Sequence, residues 1–325
     1  MQTRKMALLS LATAISALVA GNTAAQVYPS RPITMIVPYP PGGQADTIGR
    51  ILARQMRTTL GQPVIIENIG GASGSIGIGH LARAAADGYT LGLGSFSTFV
   101  LNGAAYKLKY DLLNDFEPVA LLPAHAHLIV ARKTMQASTL KDLIGWLKTN
   151  PDKASQGTSG IGAASHLAGI VFQKESGTRF QFVTYRGTAM SDLVAGHVDL
   201  MIDTAANSLP QVRAGTIKAY AVTSKSRLAV APDIATVDEA GLPGFYMSLW
   251  NGFWVPKGTP KSVIAMLNSA TVTALADPDV RRRPTDLGLE IFPREQQTPD
   301  ALRAFHRAEI QKWWPIVEAA KTKAQ

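Results

Sequence analysis

The chain has 325 residues, a formal net charge of +9 at pH 7, 46% hydrophobic and 17% charged residues, and no cysteine. This composition is that of a globular protein long enough for two domains, and it excludes a disordered chain. The lack of cysteine excludes disulfides and a cysteine-linked lipid anchor. No basic stripe with interleaved aromatic residues indicates nucleic-acid binding, and a modest basic excess favours attraction of small anions.

The N-terminus has the pattern of a secretory signal peptide. Arg4 and Lys5 precede an apolar stretch over residues 7–19, and small residues follow up to Ala25. This stretch is shorter than the ~20 residues that span a bilayer. We therefore expect residues 1–25 to be a signal peptide, cleaved after Ala25 to leave a periplasmic protein. An N-terminal anchor helix is the alternative.

A glycine-rich segment follows the first predicted strand of the mature chain. The apolar run at residues 33–37 predicts that strand, and helically spaced apolar residues from position 48 onward predict a helix. Between them lies loop A, defined here as residues 39–46, in which two prolines precede Gly42 and Gly43. Such a turn leaves backbone N–H groups uncovered at a helix N-terminus, where an anion is favoured. The alternative is a tight turn without a ligand.

Strands and helices alternate along the rest of the chain. Apolar runs predict strands at residues 64–68, 89–93, 128–131, 180–185, 198–202 and 217–222. Helices are predicted between most of them, including one over residues 139–148 with Thr139 as N-cap. A second glycine- and serine-rich segment, at residues 157–162, also opens a helix. This order predicts parallel α/β sheets with a ligand crevice beyond the carboxyl ends of the strands. One large sheet is compatible with the pattern, but two lobes facing across a cleft is our interpretation.

Other functions have weaker support in the residues. His125 and His127 share a face of a strand, which is compatible with a metal pair or with packing at the hinge, but further metal ligands are not apparent. Neither glycine-rich segment completes the Gly-x-Ser-x-Gly nucleophile elbow, and no dinucleotide-binding fingerprint opens a helix. We expect no metal, no cofactor and no enzymatic activity. A secreted α/β hydrolase acting on a small ester or amide is the alternative.

Short motifs recur in a fixed order along the mature chain. They are Pro-Pro-Gly-Gly-x-x-Asp at 40–46, Glu-Asn at 67–68, Ala-Asp-Gly-Tyr-Thr-Leu at 86–91, Asp-Phe-Glu-Pro-Val at 115–119, His-Leu-Ala-Gly at 166–169, Thr-Val-x-Glu-Ala-Gly-Leu-Pro-Gly at 236–244 and Pro-x-Gly-Thr-Pro at 256–260. Each alone is weak. As an ordered set they resemble the substrate-binding proteins of tripartite tricarboxylate transporters, the Bug family.

The resemblance implies a two-lobed α/β fold, the type II periplasmic binding protein or Venus flytrap, in which each lobe is a βαβ sheet flanked by helices. It implies lobe one from residues 26–123 and 226–325, and lobe two from residues 124–225. A monomer would close by a hinge around a small organic carboxylate. Its implied partners are the large and small membrane subunits of a transporter, unless it is one of the family's orphan receptors.

The resemblance also implies a site between loop A and loop B, defined here as residues 158–165, with loop A acting partly through ordered waters. The expected ligand-binding residues are Tyr39, Pro41, Gly42, Gly43, Gln44, Asp46, Ser95, Ser97, Asn102, Thr158, Ser159, Gly162, Ala163, Ser165, Tyr185, Arg186 and Asp203.

Two departures from the family pattern leave the ligand open. Ala163 stands where family members usually have Ser or Thr, and the turn at residues 187–191 is about two residues shorter and lacks a proline. Arg186 replaces the usual Lys, and its planar guanidinium suits bidentate contact with a carboxylate. Dicarboxylates, tricarboxylates, aromatic acids and amino acids all remain compatible with the sequence.

Two expectations concern packing. The final helix, over residues 299–320, is expected to pack on lobe one through Leu302, Phe305, Ile310 and Trp313. The aromatic residues Trp250, Phe253 and Trp254 are compatible with pocket walls or with core.

Overall fold

The computed structural model describes residues 28–160, 163–185, 188–281 and 289–322, so the expected signal peptide lies outside the described residues. The strands are β1 (Ile33–Val37), β2 (Val64–Asn68), β3 (Thr90–Ser95), β4 (Phe116–Arg132), β5 (Ser155–Thr158), β6 (Gln181–Thr184), β7 (Leu200–Thr204), β8 (Ile217–Val222), β9 (Ser248–Pro256) and β10 (Leu289–Glu290). The α-helices are α1 (Gln44–Leu60), α2 (Ser75–Ala82), α3 (Asn102–Ala105), α4 (Leu140–Thr149), α5 (Ala164–Ser176), α6 (Met190–Ala195), α7 (Ala205–Arg213), α8 (Lys261–Ala276) and α9 (Pro299–Thr322).

A single long strand joins the two halves of the protein. The strands form one ladder in the order β2-β1-β3-β9-β4-β7-β5-β6, with β8 and β10 also paired to β4. Up to Ala126, β4 pairs with β9, and from His127 onward it pairs with β7. We call β1, β2, β3, β9, β10 and the first part of β4 sheet A, and the last part of β4 with β5, β6, β7 and β8 sheet B. The predicted fold of two α/β lobes is confirmed, and the lobes share a strand.

Each sheet combines a parallel part with antiparallel strands. The predicted parallel units are β1 with β2 and β3, and β5 with β6 and β7. The antiparallel strand β9 extends the first unit, and β4 and β8 extend the second. The sequence predicts only residues 128–131 of β4 and misses β9. Both strands are buried along almost their whole length, and a strand buried on both faces lacks the alternation that identifies strands in a sequence.

Local signals set the ends of the predicted helices. Helix α1 begins after Gly43 and ends at Gly61, whose φ of 68° is the left-handed conformation that glycine adopts readily. Helix α4 begins at Thr139, whose hydroxyl accepts from the backbone N–H of Asp142 while the Asp142 carboxylate accepts from the backbone N–H of Thr139. The predicted N-cap is therefore confirmed as a complete capping box.

The C-terminal helix α9 covers the aromatic core beside sheet A, as predicted. Trp313 packs edge-on against Phe96 with ring centroids 5.3 Å apart, and Phe305 packs against Trp250 at 5.2 Å. Leu302, Ile310 and Trp313 are buried in the same cluster as Phe96, Trp250 and Trp254. All three aromatic residues of β9 are buried: Trp250 and Trp254 belong to this cluster, and Phe253 belongs to a second cluster on sheet A.

Candidate functional site

Loop A is held in shape by the carboxylate of Asp46. One carboxylate oxygen accepts from the backbone N–H of Gly42 and from Nε of Arg50, both at 2.9 Å, and the other accepts from Nδ2 of Asn68 at 2.9 Å. Asp46 is only 3% exposed. The hydrogen bond from Arg50, with those from Gly42 and Asn68, lowers the pKa of Asp46 to about 2. Its carboxylate is therefore ionised and is directed into the loop.

The two glycines of loop A have different conformations. Gly42 has a φ of +85°, which L-residues adopt only with strain. Gly43 is the N-cap of α1 with φ −77°, an ordinary extended conformation, and it has no side chain to cap the helix. The start of α1 therefore has no side-chain cap from its N-cap residue, and the uncapped N-terminus of a helix favours an anion.

A cavity of about 490 Å³ lies against this end of α1. It extends between loop A, the end of β3 and the adjoining parts of β4 and β9. The lining residues are Tyr39, Pro40, Pro41, Gly43, Gln44, Ala45, Ser95, Phe96, Ser97, His125, Leu249, Trp250 and Asn251. In the described part of the chain, none of the lining side chains is acidic or cationic.

Hydroxyl groups at the end of β3 form a small network at the cavity. The hydroxyl of Tyr39 lies 2.6 Å from Oγ of Ser95, and the backbone N–H of Ser95 donates to Oγ1 of Thr98 at 2.9 Å. Burial raises the pKa of Tyr39, so this phenol stays neutral. The network presents neutral hydrogen-bonding groups near loop A.

Six of the expected ligand-binding residues, from loop A and the end of β3, meet at this cavity, and further residues line it with them. Tyr39, Pro41, Gly43, Gln44, Ser95 and Ser97 all line the cavity. The sequence does not predict that Phe96, His125, Leu249 and Asn251 line it as well, and it leaves Trp250 compatible with either a pocket wall or the core. A weak signal exists for Asn251 and His125, since each is a polar residue within an apolar run.

Three expected residues of the same lobe do not line the cavity. The backbone N–H of Gly42 donates to Asp46, as described above. Asn102 is buried and donates to the backbone oxygen of Ser73 and to Oγ of Ser75, both at 3.0 Å. Asp46 thus holds loop A and Asn102 holds the segment at residues 73–75, and the ligand contacts of Gly42, Asp46 and Asn102 stay predictions.

Loop B is closed on itself by hydroxyl groups. Oγ of Ser165 accepts from the backbone N–H of Ser159 at 3.0 Å, and the two hydroxyl oxygens are 3.0 Å apart. Ala163 is the N-cap of α5 and offers no side-chain cap, and Thr158 is buried at the end of β5. Gly162 lies outside the described residues. Among its described residues, loop B contributes none to the cavity against sheet A.

Two further expected residues, Tyr185 and Asp203, belong to sheet B: Tyr185 directly follows β6, and Asp203 lies near the end of β7. The hydroxyl of Tyr185 donates to the carboxylate of Asp192 at 2.6 Å, which raises the pKa of Tyr185. Burial raises the pKa of Asp203, whose Oδ1 accepts from the backbone N–H of Thr204 at 2.8 Å while Oδ2 is buried without a partner. Arg186 lies outside the described residues.

Within residues 28–160, 163–185, 188–281 and 289–322, no three His, Asp or Glu side chains come together as a metal site would require. No helix in this part of the chain has the length and apolar character needed to cross a bilayer.

Two α/β sheets sharing one strand, each with a glycine-rich loop opening a helix, define a two-lobed solute-binding protein. A family model described as "Tripartite tricarboxylate transporter family receptor" matches residues 48–321, and the chain belongs to this family. The family that the ordered motifs indicate is therefore confirmed. The hydrolase alternative has no support from this match, because the family is one of receptors.

Three solved structures resemble the chain over nearly its whole length. The periplasmic binding protein BugD is 40% identical with a TM-score of 0.69, and the match covers 90% of this chain and 99% of BugD. MatC from Rhodopseudomonas palustris, solved with bound malate, is 37% identical with a TM-score of 0.70, covering 90% of this chain and 100% of MatC. A second R. palustris protein, solved with adipate, is 29% identical with a TM-score of 0.72, covering 90% and 98% of the respective chains.

Proposed function

We propose that the mature protein is a periplasmic receptor that binds a small organic carboxylate and presents it to the membrane subunits of a tripartite tricarboxylate-type transporter. The observation that carries this proposal is the start of α1, where Gly43, Gln44 and Ala45 line a cavity to which no acidic side chain of the described residues contributes. Backbone N–H groups and the helix dipole there favour an anion. Two relatives were solved with carboxylic acids, malate and adipate, which agrees with this ligand class.

The proposed mechanism is hinge closure. An open form binds the carboxylate at loop A, and closure brings loop B, Tyr185, Arg186 and Asp203 to the other side of the ligand. The lobes proposed for this motion are residues 26–123 with 226–325, and residues 124–225. The change of partner along β4 after Ala126 supports a hinge near the first boundary. The closed form is stabilised only by contacts that the ligand makes in addition to those of the open form.

The cellular setting is part of the proposal. The N-terminal pattern supports export with cleavage after Ala25, and the relative BugD is described as a periplasmic binding protein. The proposed partners are the ligand and the large and small transporter subunits. The receptor would act as a monomer without a cofactor and without catalysis, returning its ligand unchanged.

A thermal-shift screen of the chain from Gln26 onward tests the proposal. The panel contains mono-, di- and tricarboxylates, each with its amide. A ligand that binds only the native state stabilises it by about 2.7 kcal/mol at a hundredfold excess over Kd. We expect stabilisation by at least one acid and none by its amide. If no compound of the panel raises the melting temperature, or if each acid and its amide raise it equally, the result contradicts carboxylate recognition.

The variant Gly43→Val links the ligand to loop A. Gly43 has φ −77°, which any residue can adopt, and a Cβ there would meet its nearest neighbour, the backbone oxygen of Pro40, at an ordinary contact distance of 3.7 Å. The valine side chain would cover the start of α1, and we expect the melting temperature without ligand to be kept while the acid-induced shift is lost. The control Gly145→Val, on the open surface of α4, should keep both.

A further inference from the structure

Another cavity lies on the sheet A half of the protein, away from loop A. It has a volume of about 430 Å³, and its lining residues come from the loop before α2, from α2 and its C-terminal end, and from the segment that follows α3. It shares no lining residue with the cavity against loop A, so ligand binding does not account for it. We call it groove C, defined by Ile76, Gly79, Arg83, Tyr106, Lys107 and Lys109.

Groove C carries uncompensated positive charge. Arg83, Lys107 and Lys109 line it and are all exposed. Within the described residues, no acidic side chain lines the groove, and none forms an ion pair with these three cations. Exposed cations elsewhere, such as Arg31 and Arg179, do pair with a carboxylate. The three cations of groove C therefore remain available to attract an anionic group.

Two exposed apolar side chains lie among these cations. Ile76 is 49% exposed and Tyr106 is 48% exposed, and both line groove C. The hydroxyl of Tyr106 lies 3.1 Å from Oγ of Ser73, and the hydroxyl of Tyr110, which also lines the groove, donates to the backbone oxygen of Ser75 at 3.3 Å. Both tyrosine rings are thus attached to the loop before α2, so the apolar surface is in place before a partner binds.

A glycine lines groove C beside Arg83. Gly79 lies inside α2, where glycine is less favourable than alanine. A Cβ there would meet Nη1 of Arg83 at 3.4 Å and the ring of Tyr110 at 3.5 Å, which are ordinary contact distances. At Gly77, by contrast, a Cβ would come within 2.5 Å of the backbone oxygen of Ile69. Packing therefore requires glycine at position 77 but not at position 79, where its effect is to leave space beside the guanidinium.

We propose that groove C is a docking site for an acidic segment of a partner protein, a short stretch in which carboxylate side chains flank an apolar one. The carboxylates pair with Arg83, Lys107 and Lys109, and the guanidinium can hold one of them through two hydrogen bonds. The apolar side chain packs against Ile76 and Tyr106. The inference rests on the proposed function only in the kind of partner, which is a membrane subunit of the transporter.

The shape and charge of groove C favour a protein segment over other occupants. A bilayer surface is flat and does not fill a concave groove whose tyrosine hydroxyls are hydrogen-bonded within the protein. A second copy of this chain has a formal net charge of +9 and is repelled by the same cations. A protruding side chain with neighbouring carboxylates matches both the concave shape and the charge.

Fluorescence anisotropy with labelled peptides tests the proposal on the chain from Gln26 onward. The probe is the acidic peptide Gly-Asp-Leu-Glu-Leu-Asp-Gly, and its neutral analogue is Gly-Asn-Leu-Gln-Leu-Asn-Gly. We expect the acidic peptide to bind about tenfold more tightly than the analogue, because three weak exposed ion pairs together have an effect of this size. The difference should shrink as the salt concentration rises.

Charge variants assign this binding to groove C. Arg83→Gln, Lys107→Gln and Lys109→Gln, combined in one protein, should weaken the acidic peptide about tenfold. The control removes one arginine and two lysines that are exposed outside the groove and should keep the affinity. These control changes are Arg54→Gln, Lys133→Gln and Lys141→Gln.

A size variant tests the space beside the guanidinium without changing the charge. Gly79→Ala adds one methyl group inside α2, so it should keep or raise the melting temperature and weaken the acidic peptide. All of these variants should keep the acid-induced thermal shift of the wild type, because no changed residue lines the cavity against loop A.

The contrary outcomes separate docking from ligand binding. An acidic peptide that binds no more tightly than its neutral analogue, or an equal loss in the groove variant and its control, overturns the docking site and leaves the receptor function intact. Peptide binding by a protein that no acid of the earlier panel stabilises keeps the docking site and overturns the receptor function. If the triple variant does not fold, Lys107→Glu decides, and an unchanged peptide affinity there counts against the proposal.

Three further measurements exclude the other occupants. Vesicles containing phosphatidylglycerol that bind the wild type but not the groove variant, without binding of the peptide, assign groove C to a lipid surface. Free glutamate that displaces the peptide at the concentration of the peptide itself assigns it to a small anion. A wild-type dimer that the groove variant loses assigns it to a second copy of the chain. Each of these results overturns the proposal.

Discussion

Loops A and B occupy equivalent places in the two sheets but are stabilised by different chemistry. Loop A is organised by the ionised carboxylate of Asp46, which accepts from three donors and leaves Gly43 and Gln44 facing the cavity. Loop B is closed by the neutral hydroxyls of Ser159 and Ser165. A carboxylate only accepts hydrogen bonds, whereas a hydroxyl can exchange donor and acceptor roles. We infer that loop A is preformed and that loop B can redirect its hydroxyls when a ligand arrives.

The largest effect is expected from Asp46→Ala, which removes the acceptor common to Gly42, Arg50 and Asn68. Unpairing these donors should lower the free energy of unfolding by about 2–3 kcal/mol and abolish acid binding. Urea denaturation measures the first effect and calorimetry the second. The control Asp142→Ala removes the exposed capping box of α4, at a cost of about 1 kcal/mol. An Asp46→Ala loss no larger than this control would mean that Asp46 does not organise loop A.

The next largest effect is a pH dependence of the stability that loop A contributes, which we do not expect for loop B. The pKa of Asp46 is about 2 in the folded chain, below its ordinary value of 3.8, so the unfolded chain binds this proton more readily. Its contribution to stability is therefore complete above about pH 4 and is lost as the pH falls towards 2. Because Arg50 is half exposed and its attraction is screened, we expect about 1–2 kcal/mol.

Comparison with Asp46→Asn isolates this contribution from the other carboxyl groups. The difference in unfolding free energy between wild type and Asp46→Asn should shrink between pH 5 and pH 2.5. The corresponding difference for Ser165→Ala should stay constant, since the hydroxyls of loop B do not titrate in this range. A difference for Asp46→Asn that does not change with pH would contradict the role assigned to the ionised carboxylate.

The smallest effect is expected from Ser165→Ala, which removes the acceptor for the backbone N–H of Ser159. We expect a loss of about 1 kcal/mol in stability and a weaker affinity for the acid. Ser176→Ala is the control, because Ser176 is equally buried at the other end of α5 and its hydroxyl also makes local hydrogen bonds. It should lose similar stability and keep the affinity. If Ser165→Ala and Ser176→Ala bind the acid with equal affinity, Ser165 does not contact the ligand.

The local part of the fold and the family follow from the sequence. The strand, loop and helix around loop A, the capping box at Thr139 and the contacts of α9 depend on patterns within a few turns of helix or one strand. The ordered motifs also identify the family, which the family match confirms. Asp46 shows the limit of this approach: the motif includes the residue, but only the folded loop shows that its carboxylate is directed at Gly42 and Asn68.

The alternation of strands and helices, the glycine-rich loops and the family could be predicted from the sequence, because backbone preferences and hydrophobic periodicity act over short stretches of chain. The folded structure was needed to show that β4 passes from one sheet to the other, and that Ser95, His125 and Asn251 line one cavity. These residues come from β3, β4 and β9, which pair although they are far apart in the chain. Such pairing depends on how completely buried strands pack together, and that packing leaves no periodic mark in the sequence.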